Sequence, residues 1–153
     1  MRLMEILGVR VETPSNQPLV LLRESDGGRL VPIWVGAIEA SAIAFAHQGT
    51  ETVRPLTHEL MAAIISELDA ELAQVNIVRV EDGVFFAELH FSSGVVVDAR
   101  PSDAIALALR SRVDVWCAES VLDEAGFEPV PEEEDEVAQF REFLDHIEPG
   151  DFA

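Results

Sequence analysis

The chain has no lysine and no tyrosine, and it has a single cysteine. Without tyrosine, no phenolate can serve as a covalent nucleophile. One thiol, Cys117, can form neither an internal disulfide nor a multi-cysteine zinc site, and inside the run VDVWCA it reads as a small buried hydrophobe. No apolar run approaches the roughly 18 residues that a membrane-spanning helix needs. Glu5 interrupts the N-terminal stretch where a signal peptide would need unbroken apolar sequence, so a cytoplasmic protein with no membrane contact is expected. Arginine is the only strong cation, with 10 basic residues against 29 acidic ones and a formal net charge of -19. A polyanion is repelled by such a summed field, and ordinary nucleic-acid binders show a basic face instead. Either divalent cations bridge this chain to phosphate or nucleic acid is not the partner, although genome composition or a salty cytoplasm also produces an acidic, lysine-free surface.

What is present fits one domain with a tail: 153 residues, 48% apolar and 25% charged, enough to bury a sizeable core. The stretch VDARPSDAIALAL, Val97 to Leu109, organises the rest. Val95, Val96 and Val97 are β-branched and read as a buried strand. Pro101 suits the first helical position, where its missing N–H costs nothing. Asp103 then falls in the first turn, near unpaired N–H groups and the positive end of the helix dipole. From Ala104 to Leu109 every side chain is apolar, so this helix should be buried with Asp98, Arg100 and Asp103 at its entrance. Arg100 and Asp103 could simply cap and pair; a helix N-terminus flanked by arginine is equally a ready anion site.

Upstream, Leu3 to Glu12 reads as a strand and Thr13 to Pro18 as a loop. Leu19 to Arg23 and Leu30 to Val35 form a hairpin across Asp26-Gly27-Gly28. An Ala-rich helix from Ile38 to His47 follows and ends at Gly49. Thr57 is expected to cap a second helix running to Leu68, with Leu60, Ile64 and Leu68 on one face beside Met61 and Ile65. Strands Val75 to Glu81 and Val84 to Phe91 are joined by Asp82-Gly83, a strong two-residue hairpin signal.

Strand, strand, strand and Ala-rich helix therefore occur twice. Aligning Ala42–Ala46 with Ala104–Ala108 also sets Ile33–Val35 on Val95–Val97. The expected fold is α+β: internally duplicated β-β-β-α units in a mixed or antiparallel sheet, two buried Ala-rich helices, and a C-terminal helix. Residues 1–128 form the domain; 129–153 form an acidic linker and a helix from about Asp135 to Ile147, whose stripe of Val137, Phe140, Phe143 and Leu144 can dock on the domain or on a partner. A short strand from Val113 to Ala118 and a helical turn from Val121 to Ala125 complete the domain.

Four segments, in this order and spacing, resemble the bifunctional nuclease family of small bacterial and plant proteins: VPIWVGAIEASAIA (Val31 to Ala44), RPLTHEL (Arg54 to Leu60), DGVFFAEL (Asp82 to Leu89) and DARPSDAIALALR (Asp98 to Arg110). The likeness extends to about Gly126, and the closing FREFLDHIEPGDF is similar to the tail of bacterial members. Phe86 departs from the pattern, standing where members often have Tyr. The resemblance implies an α+β domain, a nuclease acting on RNA and DNA with little sequence preference, and self-association as a homodimer or larger homo-oligomer.

Phosphodiester hydrolysis needs an activated water, neutralised phosphate charge and help for the leaving group. Residues of the matching motifs supply these types. Glu39, Glu59 and Asp103 could hold Mg²⁺ or Mn²⁺ through oxygen, His58 could act as acid or base, and Arg54 and Arg100 could grip phosphate. His58, Glu59, Arg100 and Asp103 are thus the expected catalytic set. Each also has a structural reading, as a core hydrogen bond for His58, helix-dipole partners for Glu39 and Glu59, and ion pairs with these carboxylates for the arginines. His47, His90 and His146 lack partners at ligand spacing, and no Gly-rich phosphate loop, HExxH or Cys/His zinc pattern occurs. A non-catalytic regulatory or interaction module, in which the charged corner is structural, is the alternative to the nuclease.

Overall fold

The computed structural model describes residues 1–129, so the expected acidic linker and C-terminal helix lie outside the described residues. Seven strands form one sheet in the order β3-β2-β1-β7-β4-β5-β6. β1 (Arg2–Glu12), β2 (Gln17–Glu24) and β3 (Leu30–Trp34) make one antiparallel meander; β4 (Leu72–Glu81), β5 (Val84–Phe91) and β6 (Val96–Ala99) make another. β7 (Asp114–Cys117) joins them, antiparallel to β1 and parallel to β4. The architecture is mixed α+β, as expected. The β4–β5 turn carries positive φ at Asp82 (51°) and Gly83 (78°), the conformation that makes an Asp-Gly pair a hairpin signal.

Period-two alternation selects the core face. Cross-strand partners Leu22 and Val31, Met4 and Val115, and Ile77 and Ala87 are all buried. Helices α1 (Ala37–Gln48), α3 (Pro101–Ser111) and α4 (Glu119–Ala125) contribute to the same cluster. Cys117 is fully buried within it, and burial pushes its thiol up to about 12, so it serves as the expected inert hydrophobe. α2 (Thr57–Glu67) packs on α3 with half-buried Met61, Ala62 and Ile65 and buries no residue completely.

Several expectations change. The two Ala-rich helices are unequal: α3 buries every residue from Ala104 to Ala108, whereas α1 buries only Ala40, Ile43 and Ala46 and exposes Ile38 and Phe45. Val95, Val96 and Val97 are exposed: Val95 precedes β6, and among the described residues β6 pairs with β5 alone, at the edge of the sheet. On α2, Leu60, Ile64 and Leu68 point outward, since the helix meets its neighbour along the line of Met61 and Ile65. Its N-cap is Leu56 with no side-chain hydrogen bond, and Thr57 is the first helical residue.

Candidate active site

Three helices begin with one local pattern: Ala37-Ile38-Glu39, Thr57-His58-Glu59 and Pro101-Ser102-Asp103, each placing a carboxylate at the third helical position. None of the three N-caps, Gly36, Leu56 and Arg100, supplies a side-chain capping bond. Their free N–H groups and positive dipole ends favour anions, and the carboxylates answer that preference. At Gly36 the backbone is ordinary, with φ -75°, so what a larger residue would meet there is a side chain and not backbone strain. A Cβ there would collide with the Glu39 carboxylate, which folds back over the helix entrance.

Arg100 joins two of these entrances. Its Nε donates to Asp103 Oδ2 at 2.9 Å and its Nη1 to Glu39 Oε1 at 3.2 Å. The third entrance arrives through His58, whose Nε2 lies 3.1 Å from Asp103 Oδ1. An ionised carboxylate can only accept, so the proton of this bond sits on Nε2 and Nδ1 is the nitrogen left for other work. Both Asp103 oxygens are thus used. Burial pushes its carboxyl up, but the hydrogen bonds and charges of Arg100 and His58 outweigh that and hold it below the ordinary value. Asp103 and then Glu39 raise the Arg100 guanidinium. The Arg100 side chain remains 64% exposed, whereas that of His58 is 14% exposed. This is a charged corner open to solvent on its arginine side.

His58, Arg100, Asp103 and Glu39 are therefore brought together. Glu59 is not; it faces Arg110, 3.4 Å from Nη2, and Thr52 Oγ1 lies 3.5 Å from the same carboxylate oxygen. Arg54 is exposed, its carbonyl accepts from Thr52, and no ion pair to it is found among the described residues. The expected metal set does not gather, because Glu39 and Asp103 are satisfied by one guanidinium and Glu59 by another. Among the described residues no three His, Cys, Asp or Glu side chains stand close enough to hold a metal ion. His90, expected to lack a partner, lies 3.1 Å from Glu88 Oε1, two residues back on the same face of β5.

Two arginines carry more of the structure than their sequence context suggested. Arg110 donates to the Thr50 carbonyl at 3.0 Å as well as pairing with Glu59. Its position seven residues after Asp103, the same side of a helix, was a usable signal. Arg29 binds Glu24 at 2.7 Å, Glu119 at 2.8 Å and Asp123 at 3.0 Å, fastening α4 to the β2–β3 hairpin. Nothing local in the sequence connects those four residues.

Residues 20–129 match the bifunctional nuclease domain. An uncharacterized protein of Mycobacterium tuberculosis is 46% identical, over 96% of this chain and 95% of that one. Bifunctional nuclease 2 of Oryza sativa subsp. japonica is 26% identical over 80% of this chain, and bifunctional nuclease 1 of Arabidopsis thaliana 27% identical over 64%. The chain spans 40% and 32% of those plant proteins. With the domain match covering most of its length, including all three helix entrances, the chain belongs to the bifunctional nuclease domain family.

Proposed function

We propose that this chain is a nuclease that hydrolyses phosphodiester bonds of RNA and DNA with little sequence preference, and that the Arg100 corner is its active site. The observation that carries the reading is the continuous chain from His58 through Asp103 to Arg100, a polarised imidazole beside an exposed guanidinium. Asp103 fixes the His58 ring and its tautomer, and Nδ1 takes a proton from water or returns one to the leaving oxygen. Arg100 presents its exposed edge to the phosphate, and Arg54 supplies a second cation. The three helix N-termini stabilise the carboxylates of Glu39, Glu59 and Asp103, and Arg100 is the cation that this corner turns to solvent. The two β-β-β-α units enter the proposal as repeated halves whose helix entrances, at Glu39 and Asp103, face one another across Arg100.

Glu39, Glu59 and Asp103 as arranged do not fit a divalent ion, since each is held by an arginine, and no step here runs through one. Mg²⁺ or Mn²⁺ is carried as an arm of the test. The charge of -19 favours the second reading, a regulatory or interaction module in which the same corner only ties helices together. A homodimer or larger assembly in the cytoplasm belongs to the proposal and is read by light scattering on the purified chain.

The test incubates the purified chain with labelled single-stranded RNA and DNA in Mg²⁺, Mn²⁺ or EDTA, beside His58→Ala and Arg100→Ala. Cleavage by the wild type that both substitutions abolish is the expected result. Cleavage indifferent to both assigns the activity to a contaminant and leaves the module reading in place.

A further inference from the structure

We infer that Arg110 is a positioning residue for the His58–Asp103 pair; the inference rests on the nuclease reading for its kinetic consequence but not for its geometry. α2 has no fully buried residue, so apolar packing alone holds it weakly on α3. Among the described residues two polar contacts between α2 and α3 supplement that packing, and they leave α2 from adjacent residues of one turn. His58 reaches Asp103 in the first turn of α3; Glu59 reaches Arg110 in the last. Seven residues of helix separate those anchors, about 10 Å at 1.5 Å per residue. A single anchor would leave α2 free to pivot about it. Two anchors that far apart fix the orientation of the α2 entrance as well as its place, and with it the distance from His58 to Asp103.

Burial makes the second anchor firm. The Arg110 side chain is 13% exposed and that of Glu59 21% exposed, so solvent screens this pair far less than an exposed one. Arg110 also donates to the carbonyl of Thr50, just past the Gly49 cap of α1. One guanidinium therefore fastens the end of α1, the start of α2 and the end of α3. The polar partners of Arg110 are Thr50 and Glu59 and include none of His58, Asp103 and Arg100, so its effect on the corner passes through the placement of α2.

The test compares Arg110→Met, Arg110→Lys and Glu59→Gln with the wild-type full chain at one pH. Three readouts are taken: the ¹⁵N shift of His58 Nε2, the thermal midpoint, and kcat and KM for a labelled single-stranded oligonucleotide. Arg110→Met is expected to move the His58 Nε2 signal toward that of a solvated imidazole and to lower kcat about tenfold, with KM changed less than twofold. Arg110→Lys, which keeps the charge, is expected to recover most of both; Glu59→Gln, which keeps the shape, to fall between. An unmoved His58 signal in Arg110→Met overturns the inference, as does a rise in KM at constant kcat, which would place Arg110 on the substrate. If Arg110→Met does not fold, Glu59→Gln and Arg110→Lys carry the same comparison. A wild type that cleaves nothing defeats the nuclease reading, while the His58 signal still decides the positioning.

Discussion

Arg29 and Arg100 are both arginines that hold more than one carboxylate, and both have their charge stabilised by those partners. Their surroundings separate them. The Arg29 side chain is 20% exposed and spends its guanidinium on Glu24, Glu119 and Asp123; the Glu24 side chain is only 8% exposed, and Arg2 adds a further pairing to Glu119 at 3.2 Å. Every partner belongs to the hairpin or to α4. Arg100, by contrast, is 64% exposed and is flanked by uncapped helix ends, and one of its carboxylates is shared with an imidazole. A guanidinium sealed among acids serves as a clamp. One that is open on one side, with a proton carrier behind its carboxylate, has capacity left for a ligand. The same ion-pair chemistry thus separates into scaffold and site according to burial and to the third group present.

The largest expected effect breaks the comparison on its structural side. Arg29→Met leaves the buried Glu24 carboxylate only its longer pairing with Arg2, at 3.9 Å, and is expected to lower the thermal midpoint by about 5–10 °C in differential scanning calorimetry. Arg100→Met is expected to change it by less than about 2 °C, since the exposed ion pairs it removes are worth little. Equal losses for the two would erase the distinction between clamp and site.

Next comes binding. Arg100→Lys keeps the charge but cannot span Glu39, Asp103 and a phosphate at once, so affinity for a non-cleavable oligonucleotide is expected to fall about tenfold by fluorescence anisotropy. A smaller effect of opposite sign is expected at Gly36→Ala. The new Cβ displaces the Glu39 carboxylate, which is the flexible end of a side chain, so stability changes little while Arg100 loses a competitor for its Nη1. Oligonucleotide affinity should then rise two- to threefold, as it should in Glu39→Gln. A fall in both variants would mean that Glu39 supports binding.

Smallest is the acid dependence, on which the two regions should agree. The Asp103 carboxyl lies below its ordinary value despite burial, through Arg100 and His58; Glu119 lies below through Arg29 and then Arg2. A carboxyl depressed in the folded state contributes stability that is fully present above its unfolded value and is lost as pH falls through its folded one. Urea midpoints are therefore expected to stay flat from pH 8 to about pH 5 and to decline below about pH 4. Asp103→Asn and Glu119→Gln should each flatten part of that decline, and an unchanged profile in both would remove these carboxylates from it.

The sequence revealed the scaffold wherever a residue's role is set by its neighbours in the chain. The Asp82-Gly83 turn, the Gly49 cap and the Pro101 start of α3 need only local geometry, and each lies where its own residues predict. Burial was harder to read, because it depends on what lies beside an element. Three valines signal a buried strand, yet β6 is the last strand of the sheet; Leu60, Ile64 and Leu68 form a convincing stripe that α3 does not meet. The candidate site was legible as residue types and only partly as an arrangement. His58, Arg100, Asp103 and Glu39 converge, but Glu59, some 100° round the helix from His58, turns to Arg110 at the far end of α3.

The most direct trial of the account is the single-turnover rate of cleavage of a labelled single-stranded oligonucleotide by the wild-type chain and by His58→Ala, well below the melting range of either. If His58 is the proton carrier behind the Arg100 corner, the substitution lowers the rate a hundredfold or more, in line with the usual contribution of a positioned acid or base, with binding little changed. Equal rates for the two proteins would mean that the corner does no chemistry, and would contradict the account at its centre.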